Sequence, residues 1–552
     1  MKRSHLVLFI LVDLLIVAAL VWFFLFRGTT LDRPVSLVPS TADLYLEVAS
    51  FAVADSALRE ISAAAGLPLS LPLVLGRDRG AMGRALADPD ASGIDSVRPI
   101  GLAMSLRFGL DPLGIAFLPV KDARKLATAL GLEAGALRSG KAVAFDGGWV
   151  ATLDGYALVA DDAVTIDDLV ALDARGLDNV TPAPGAVMTL WITPRLIETA
   201  RTLVEGFPAF DNSKAALFTR EMAGVIVGAI ERASIGLHWD ADGLRLQTRW
   251  RLGEENVLAA ALRAGSDATD LLTLLPPGAL LSAFRIDPTA GRAVAAAALA
   301  RTESLIEDSA ARAMMEKSLD LVSREVATCL LTWGDGEAGS VRSLALQSVA
   351  RGREAEFVAF QRHFQRQGAA VWESMMRGQT EMKARISFRD LPTERMDGLE
   401  ILASEMRTQL EIPPIPTADA ATREAFRRLS DQRVIQRFAV VEREGAESLF
   451  ITAAGGDAAT MRNQLALVRD GGPNASAAPS VQRVLAMIGA APAAFLIADP
   501  LHGDALSAAF GVSARADGRD LVIEAVLPRD HLAALPMLSL PFSPANPPMH
   551  RH

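Results

Sequence analysis

Two stretches far apart in this 552-residue chain follow the same plan. Residues 237–262 read "LHWDADGLRLQTRWRLGEENVLAAAL", and residues 512–535 read "VSARADGRDLVIEAVLPRDHLAAL". Each is an alternating apolar run, an Asp-Gly pair, a second alternating run, a charged pair and a Leu-Ala-Ala helix. Asp-Gly between alternating runs predicts a hairpin, because both residues tolerate the positive φ of a tight two-residue turn. The plan also has recurring openings: "LVPSTADLYLEVAS" at 37–50 and "LLPPGALLSAFRID" at 274–287 each lead from a proline turn into a strand and then a helix. Weaker echoes, "TPAPGAVMTLWITP" at 181–194 and "IGAAPAAFLIADP" at 488–500, fall inside each half. The pattern constrains the chain to two diverged tandem lobes, since the spacing of the echoes is too irregular for a solenoid.

Adjacent strands occur as antiparallel pairs with helices between them, which predicts an α+β fold rather than a parallel, doubly wound sheet. The expected lobes are 37–270 and 271–535, each an antiparallel sheet with helices on one face. A strand-containing insertion near 366–437 has no clean counterpart in the first lobe, and the proline-rich 536–552 is expected to be a disordered tail. Alternation in 237–250 places Leu244, Leu246 and Thr248 on one face and Arg245, Gln247 and Arg249 on the other. One sheet face is therefore expected to be buried and the other wet.

Residues 6–26, "LVLFILVDLLIVAALVWFFLF", form a 21-residue apolar run. A helix of that length spans roughly 30 Å, the thickness of a bilayer core. It follows a short basic segment (residues 1–5, with Lys2 and Arg3) and precedes a linker at 27–36; bulky residues stand where a signal-peptidase site would need small ones. The reading is an uncleaved signal anchor in the cytoplasmic membrane, N-terminus inside and the bulk of the chain in the periplasm. Asp13 sits within the run, where a carboxylate costs about 2.5–3.5 kcal/mol on insertion scales. One reading is a protonated or snorkelling Asp13 in a helix apolar enough to carry that cost. The functional readings are a partner contact or proton carriage, and they make Asp13 the membrane residue to test.

The stretch "VDLLIVAALVWFF" around Asp13 resembles the single membrane helix of ExbD/TolR/MotB-type stator subunits. That resemblance implies a proton-driven complex that uses Asp13. The layout from 35 to 535, with its "vP-x-x-a" strand openings and segments such as "FLPVKDARKLATALG" and "DGYALVAD", resembles uncharacterised bacterial single-pass envelope proteins. It implies an architecture and no active site.

Chemistry is sparse. A net charge of -10 argues against general nucleic-acid binding. One cysteine, Cys329, in an apolar run, allows no disulfide or cysteine-built metal site within the chain. The seven histidines are scattered, without a metal-ligand spacing; His363 lies on a helix whose core stripe is Phe357, Phe360 and Phe364. No serine-nucleophile elbow or phosphate-binding loop occurs. The nearest thing to an anion cradle is "LGRDRGAMGRAL", where Gly76, Gly80 and Gly83 with Arg77, Arg79 and Arg84 would meet a phosphate or lipid headgroup. The acidic run at 161–168 is expected to complement a helix N-terminus. No metal or cofactor is expected. The function read from the sequence is a non-enzymatic, membrane-anchored binding or scaffold protein of the bacterial cell envelope, with an envelope protein as partner. The alternatives are a lipid-binding or transport component and the Asp13-dependent complex.

Overall fold

The computed structural model describes residues 34–64, 69–75, 80–106, 113–171, 177, 180, 183–206, 228–253, 260–261, 265–302, 309–332, 342–363, 365–366, 383–411, 431–489, 491–499 and 509–534. The apolar run 6–26 with Asp13, most of the linker and the tail lie outside them. Among the described residues, no helix is long and apolar enough to cross a membrane. The chain is α+β with antiparallel strands, packed as two compact units. The first comprises Met1–Thr199, Glu231–Trp250 and Leu527–His552; the second comprises Ala200–Ile230 and Arg251–Val526.

In the first unit the strands are β1 (Leu44–Val48), β2 (Ile100–Ser105), β3 (Leu113–Pro119), β4 (Val143–Phe145), β5 (Gly148–Leu153), β6 (Tyr156–Ala160), β7 (Met188–Ile192), β8 (Ile230–Trp239) and β9 (Gly243–Leu252). Pairing runs β4-β5-β6-β3-β2-β1-β7-β8, every neighbour antiparallel. The Asp154-Gly155 turn joining β5 to β6 has φ of 49° and 78°, the positive pair its sequence predicted.

The expectation of helices on one sheet face is corrected here. Even-numbered Leu46, Val48 and Leu102 pack with α1 (Phe51–Ala64), α2 (Leu71–Leu75), α3 (Ala81–Ala87) and α4 (Ala123–Ala129). Odd-numbered Tyr45, Ala103 and Phe117 on the same strands pack with a 3-10 turn (Pro34–Leu37) and α5 (Ala163–Ala171). Successive side chains of a strand point to opposite faces, so both faces are covered. The sequence hid this because β1, "LYLEV", carries polar-tipped Tyr45 and Glu47 on the second face. Tyr45 donates to Glu47 at 2.7 Å and stacks on Trp191 with centroids 5.2 Å apart, which satisfies the polar atoms and buries the rest. The alternation read in β9 also fails as a burial rule: Leu244 is buried but Leu246 is 38% exposed. After β7, α6 (Pro194–Gly206) begins. Thr193 just before it donates to the Ala42 and Asp43 carbonyls, while Asp43 accepts from Leu106 N–H and pairs with Arg195 at 3.4 Å.

The second unit contains β10 (Leu280–Arg285), α7 (Pro288–Thr302), α8 (Ser309–Leu319), β11 (Glu325–Thr332), β12 (Arg342–Val349), β13 (Lys383–Met396), β14 (Leu399–Glu411), β15 (Asp431–Val441), β16 (Ser448–Ala454), α9 (Ala458–Asp470), α10 (Pro479–Met487), β17 (Ala494–Ala498), β18 (Phe510–Asp517) and β19 (Asp520–Pro528). Pairing runs β13-β14-β15-β16-β12-β11-β10-β17-β18-β19, again all antiparallel. Strand for strand this is the order of the first unit, with β10 in the place of β1, β16 of β6 and β17 of β7. The segment expected as an insertion therefore holds β14 and β15 in the places of β4 and β5, and only β13 is additional. β4 is three residues long and β14 thirteen, so the sequences offered no match.

The main core of this unit joins one face of β10, β11, β12 and β17 to α9, α10 and the 3-10 turn Thr269–Leu274. Cys329 is fully buried there, its thiol 3.4 Å from the Pro276 carbonyl, with a hypothetical Cβ at Gly278 colliding with its sulfur. Burial pushes the thiol up to about 12. At pH 8 it is therefore fully protonated. A maleimide is expected to leave the native protein unmodified and to label one site only after denaturation, read by intact mass.

Candidate functional site

The equivalence of the strands allows one layer of the two sheets to be compared residue by residue. In the first unit Leu46 on β1 faces Leu102 on β2 and Leu190 on β7. In the second, Ser282 on β10 faces Thr328 on β11 and Leu496 on β17. Two of three leucines are replaced by hydroxyls, on the face opposite the main core. The helix that would cover this layer is also thinner. In the first unit α1 brings Phe51, only 4% exposed. Its counterpart α7 opens with Pro288 and continues "TAGRAVAAAALART", with alanines where larger side chains would have to reach the sheet. Gly291 packs its first turn close over Val322 and Ile286.

The consequence is an open apolar surface across β11, β10, β17 and β18. Phe284 and Leu496 remain 41% and 37% exposed, while their strand neighbours Ala283, Phe495 and Ile497 are buried on the other side. Leu280, Leu330, Ala494, Val512 and Ala514 share the open face and are half-buried. Further along the sheet that side is closed: Phe357 and Phe360, from helical residues 354–363, pack with Phe438 and Phe450. Phe357 and Phe450 meet edge-on at 5.3 Å, and Phe438 stacks on Phe450 at 5.8 Å. The replaced residues lie on β10 and β11, at the middle of the open face.

On the floor of the open face the Ser282 and Thr328 hydroxyls lie 2.6 Å apart. Whichever donates, the pair spends one of its two protons internally and keeps one to give outward. An apolar surface with a single outward donor fits an amphipathic molecule that carries an acceptor oxygen. Arg285, Glu325 and Arg515 on these strands are engaged in ion pairs. Arg285 is held by Asp270 and Glu325, and Glu325 is bridged in turn to Arg443. Arg515 pairs with Glu524 at 2.6 Å, and Glu524 also accepts from Gly489 N–H at 3.0 Å.

The residues singled out from the sequence do not converge. Asp13, Gly76, Arg77 and Arg79 lie outside the described residues. Gly80 stands at the N-cap of α3, Gly83 is buried inside that helix and Arg84 is in its last turn. Asp162 of the acidic run caps α5, accepting from the Thr165 N–H and hydroxyl at 2.7 Å each, which is the capping role its position implied. Phe357 and Phe360 fill a core as their spacing implied, His363 is exposed, and Phe364 lies outside the described residues. Among the described residues no group of three or more His, Cys, Asp or Glu is placed to hold a metal. The open face was missed because neither Ser282 nor Thr328 is unusual alone. Their signal is Ser282 standing in "LLSAFRI" where "LYLEVAS" has Leu46.

No family model and no curated protein matches the chain. Among solved structures, one titled "Structure of crystal form III of TP0453" is similar over 48% of this chain and 96% of its own, at 10% identity. Its TM-score is 0.17, and the likeness carries no argument.

Proposed function

We propose that this chain is a non-enzymatic, membrane-anchored binding protein of the bacterial cell envelope, and that it binds an amphipathic, lipid-like molecule on the open face of its second sheet. The observation that carries the reading is the Ser282–Thr328–Leu496 layer, where the leucines of the matching layer give way to a hydroxyl pair beneath exposed Phe284 and Leu496. Exposed apolar area of this kind is costly in water at about 25 cal/mol per Å², and a bound acyl chain recovers that cost. Anchoring rests on the apolar run 6–26, and the tandem plan on the shared strand order and the repeated hairpin sequences. A duplicated scaffold in which one copy stays filled and the other opens provides a binding surface without a new fold.

The reading is tested with full-length protein stripped of lipid in detergent and titrated with cis-parinaric acid. Saturable fluorescence enhancement that phospholipid displaces is the expected result. Enhancement that rises linearly, as for partition into detergent alone, would remove the proposal.

A further inference from the structure

Among the described residues, the most exposed large apolar side chain of the first unit is Val97, 73% exposed, at one end of its sheet. Backbone hydrogen bonds define that end closely. Asp95 N–H donates to the Pro119 carbonyl, Ala52 N–H to the Ser96 carbonyl, Lys121 N–H to the Gly93 carbonyl, and Val120 N–H to the Gly155 carbonyl. The start of α1, with Val53 at 44% exposed, therefore sits beside the Val97 loop. Pro34, the first described residue, belongs to the same end: a Cβ on Gly101, one residue into β2, would lie 2.7 Å from its ring.

That position matters because of how little chain separates Pro34 from the apolar run. From Phe26 to Pro34 there are eight peptide units. They reach at most about 28 Å fully extended, and about 16 Å as a flexible coil. The opposite end of the sheet, marked by exposed Ser40 and Thr41 beside Ser105, lies about 20 Å further along the strands. A tether this short, attached at the Val97 end, holds that end toward the bilayer.

We propose that the Val97 end of the first unit is apposed to the membrane, with Val97 entering the headgroup layer and Val53 beside it. The proposal rests on the anchored reading above. The loop is chemically suited to the place. Val97 N–H is already bonded to the Asp95 carboxylate at 3.2 Å, so the tip enters without leaving that donor unpaired. Arg98 lies 5.2 Å over the Tyr156 ring, and Tyr156 donates to the Pro99 carbonyl, which fixes the loop from behind. Asp122 spends its carboxylate on capping α4, whereas exposed Lys121 and Arg124 beside it are available to lipid phosphates.

The test uses full-length Val97→Cys and Ser40→Cys proteins labelled with an environment-sensitive NBD dye and reconstituted into phosphatidylcholine/phosphatidylglycerol nanodiscs. Buried Cys329 stays silent, so each label reports one site. The expected result is a blue-shifted emission at position 97, quenched several-fold more by lipid-borne spin label than at position 40. Incorporation into nanodiscs with equal, water-like emission at both sites overturns the membrane apposition and leaves the anchor standing. Failure to incorporate overturns the anchored reading, and this proposal with it.

Discussion

Replacing both hydroxyls of the open layer, Ser282→Leu with Thr328→Leu, is expected to abolish ligand binding while leaving the protein folded. The double variant recreates the Leu46–Leu102–Leu190 layer of the first unit in the second. It removes the one outward donor and puts apolar bulk on the floor of the open face, so affinity for an amphipathic ligand should fall at least about tenfold, roughly 1.4 kcal/mol. Stability should move the other way or hardly at all. Losing the hydroxyl–hydroxyl bond costs about 0.5–1.5 kcal/mol. Burying a leucine fully contributes about 1.5–3 kcal/mol, and a half-exposed site yields about half of that for each. Thermal denaturation separates the outcomes: lost binding with an unchanged or higher Tm places the ligand on this face. Retained binding at wild-type affinity moves it elsewhere.

Glu524→Ala should be among the most destabilising single substitutions in the second unit. Glu524 is 2% exposed, accepts from Arg515 at 2.6 Å and from Gly489 N–H at 3.0 Å, and has no room around it. A Cβ on Gly489 would lie 2.6 Å from the Arg515 guanidinium and 2.7 Å from the Glu524 carboxylate. Removing one partner leaves a buried cation and a backbone donor unpaired, a loss of about 3–5 kcal/mol. Arg515 retains 22% side-chain exposure, which places the effect near the lower figure. For a body of this size about 3 kcal/mol corresponds to a Tm decrease of roughly 6–12 °C. Arg515→Leu with Glu524→Leu should recover much of that loss, because an apolar pair leaves no charge behind. A Tm within a degree of wild type for Glu524→Ala would contradict the buried pair.

The antiparallel hairpins were legible in the sequence because hairpins declare themselves locally. Asp154-Gly155 and Asp517-Gly518 need positive φ at glycine, and the flanking alternation marks the strands. Proline turns marked the starts of β1 and β10 for the same reason. Burial was less legible, because alternation says which residues share a face and not what lies over it. Tyr45 and Glu47 are polar-tipped, yet they are buried through a bond to each other. The counterparts of β4 and β5 were hidden by strand length. The candidate face was hidden because its content is a difference: Ser282 against Leu46, Thr328 against Leu102, Pro288 against Phe51. None of those residues signals anything until strand pairing aligns the two sheets. The anchor reading and the role of Asp13 still rest on the apolar run itself.

The central claim is tested most directly by purifying full-length wild-type protein and the Ser282→Leu/Thr328→Leu variant gently from native membranes and identifying retained molecules by native mass spectrometry. Lipids that surround a membrane helix will be common to both and set the background. The account predicts an amphipathic compound at near one per chain in the wild type and its absence from the variant. The same molecules in the same amounts on both proteins would contradict it.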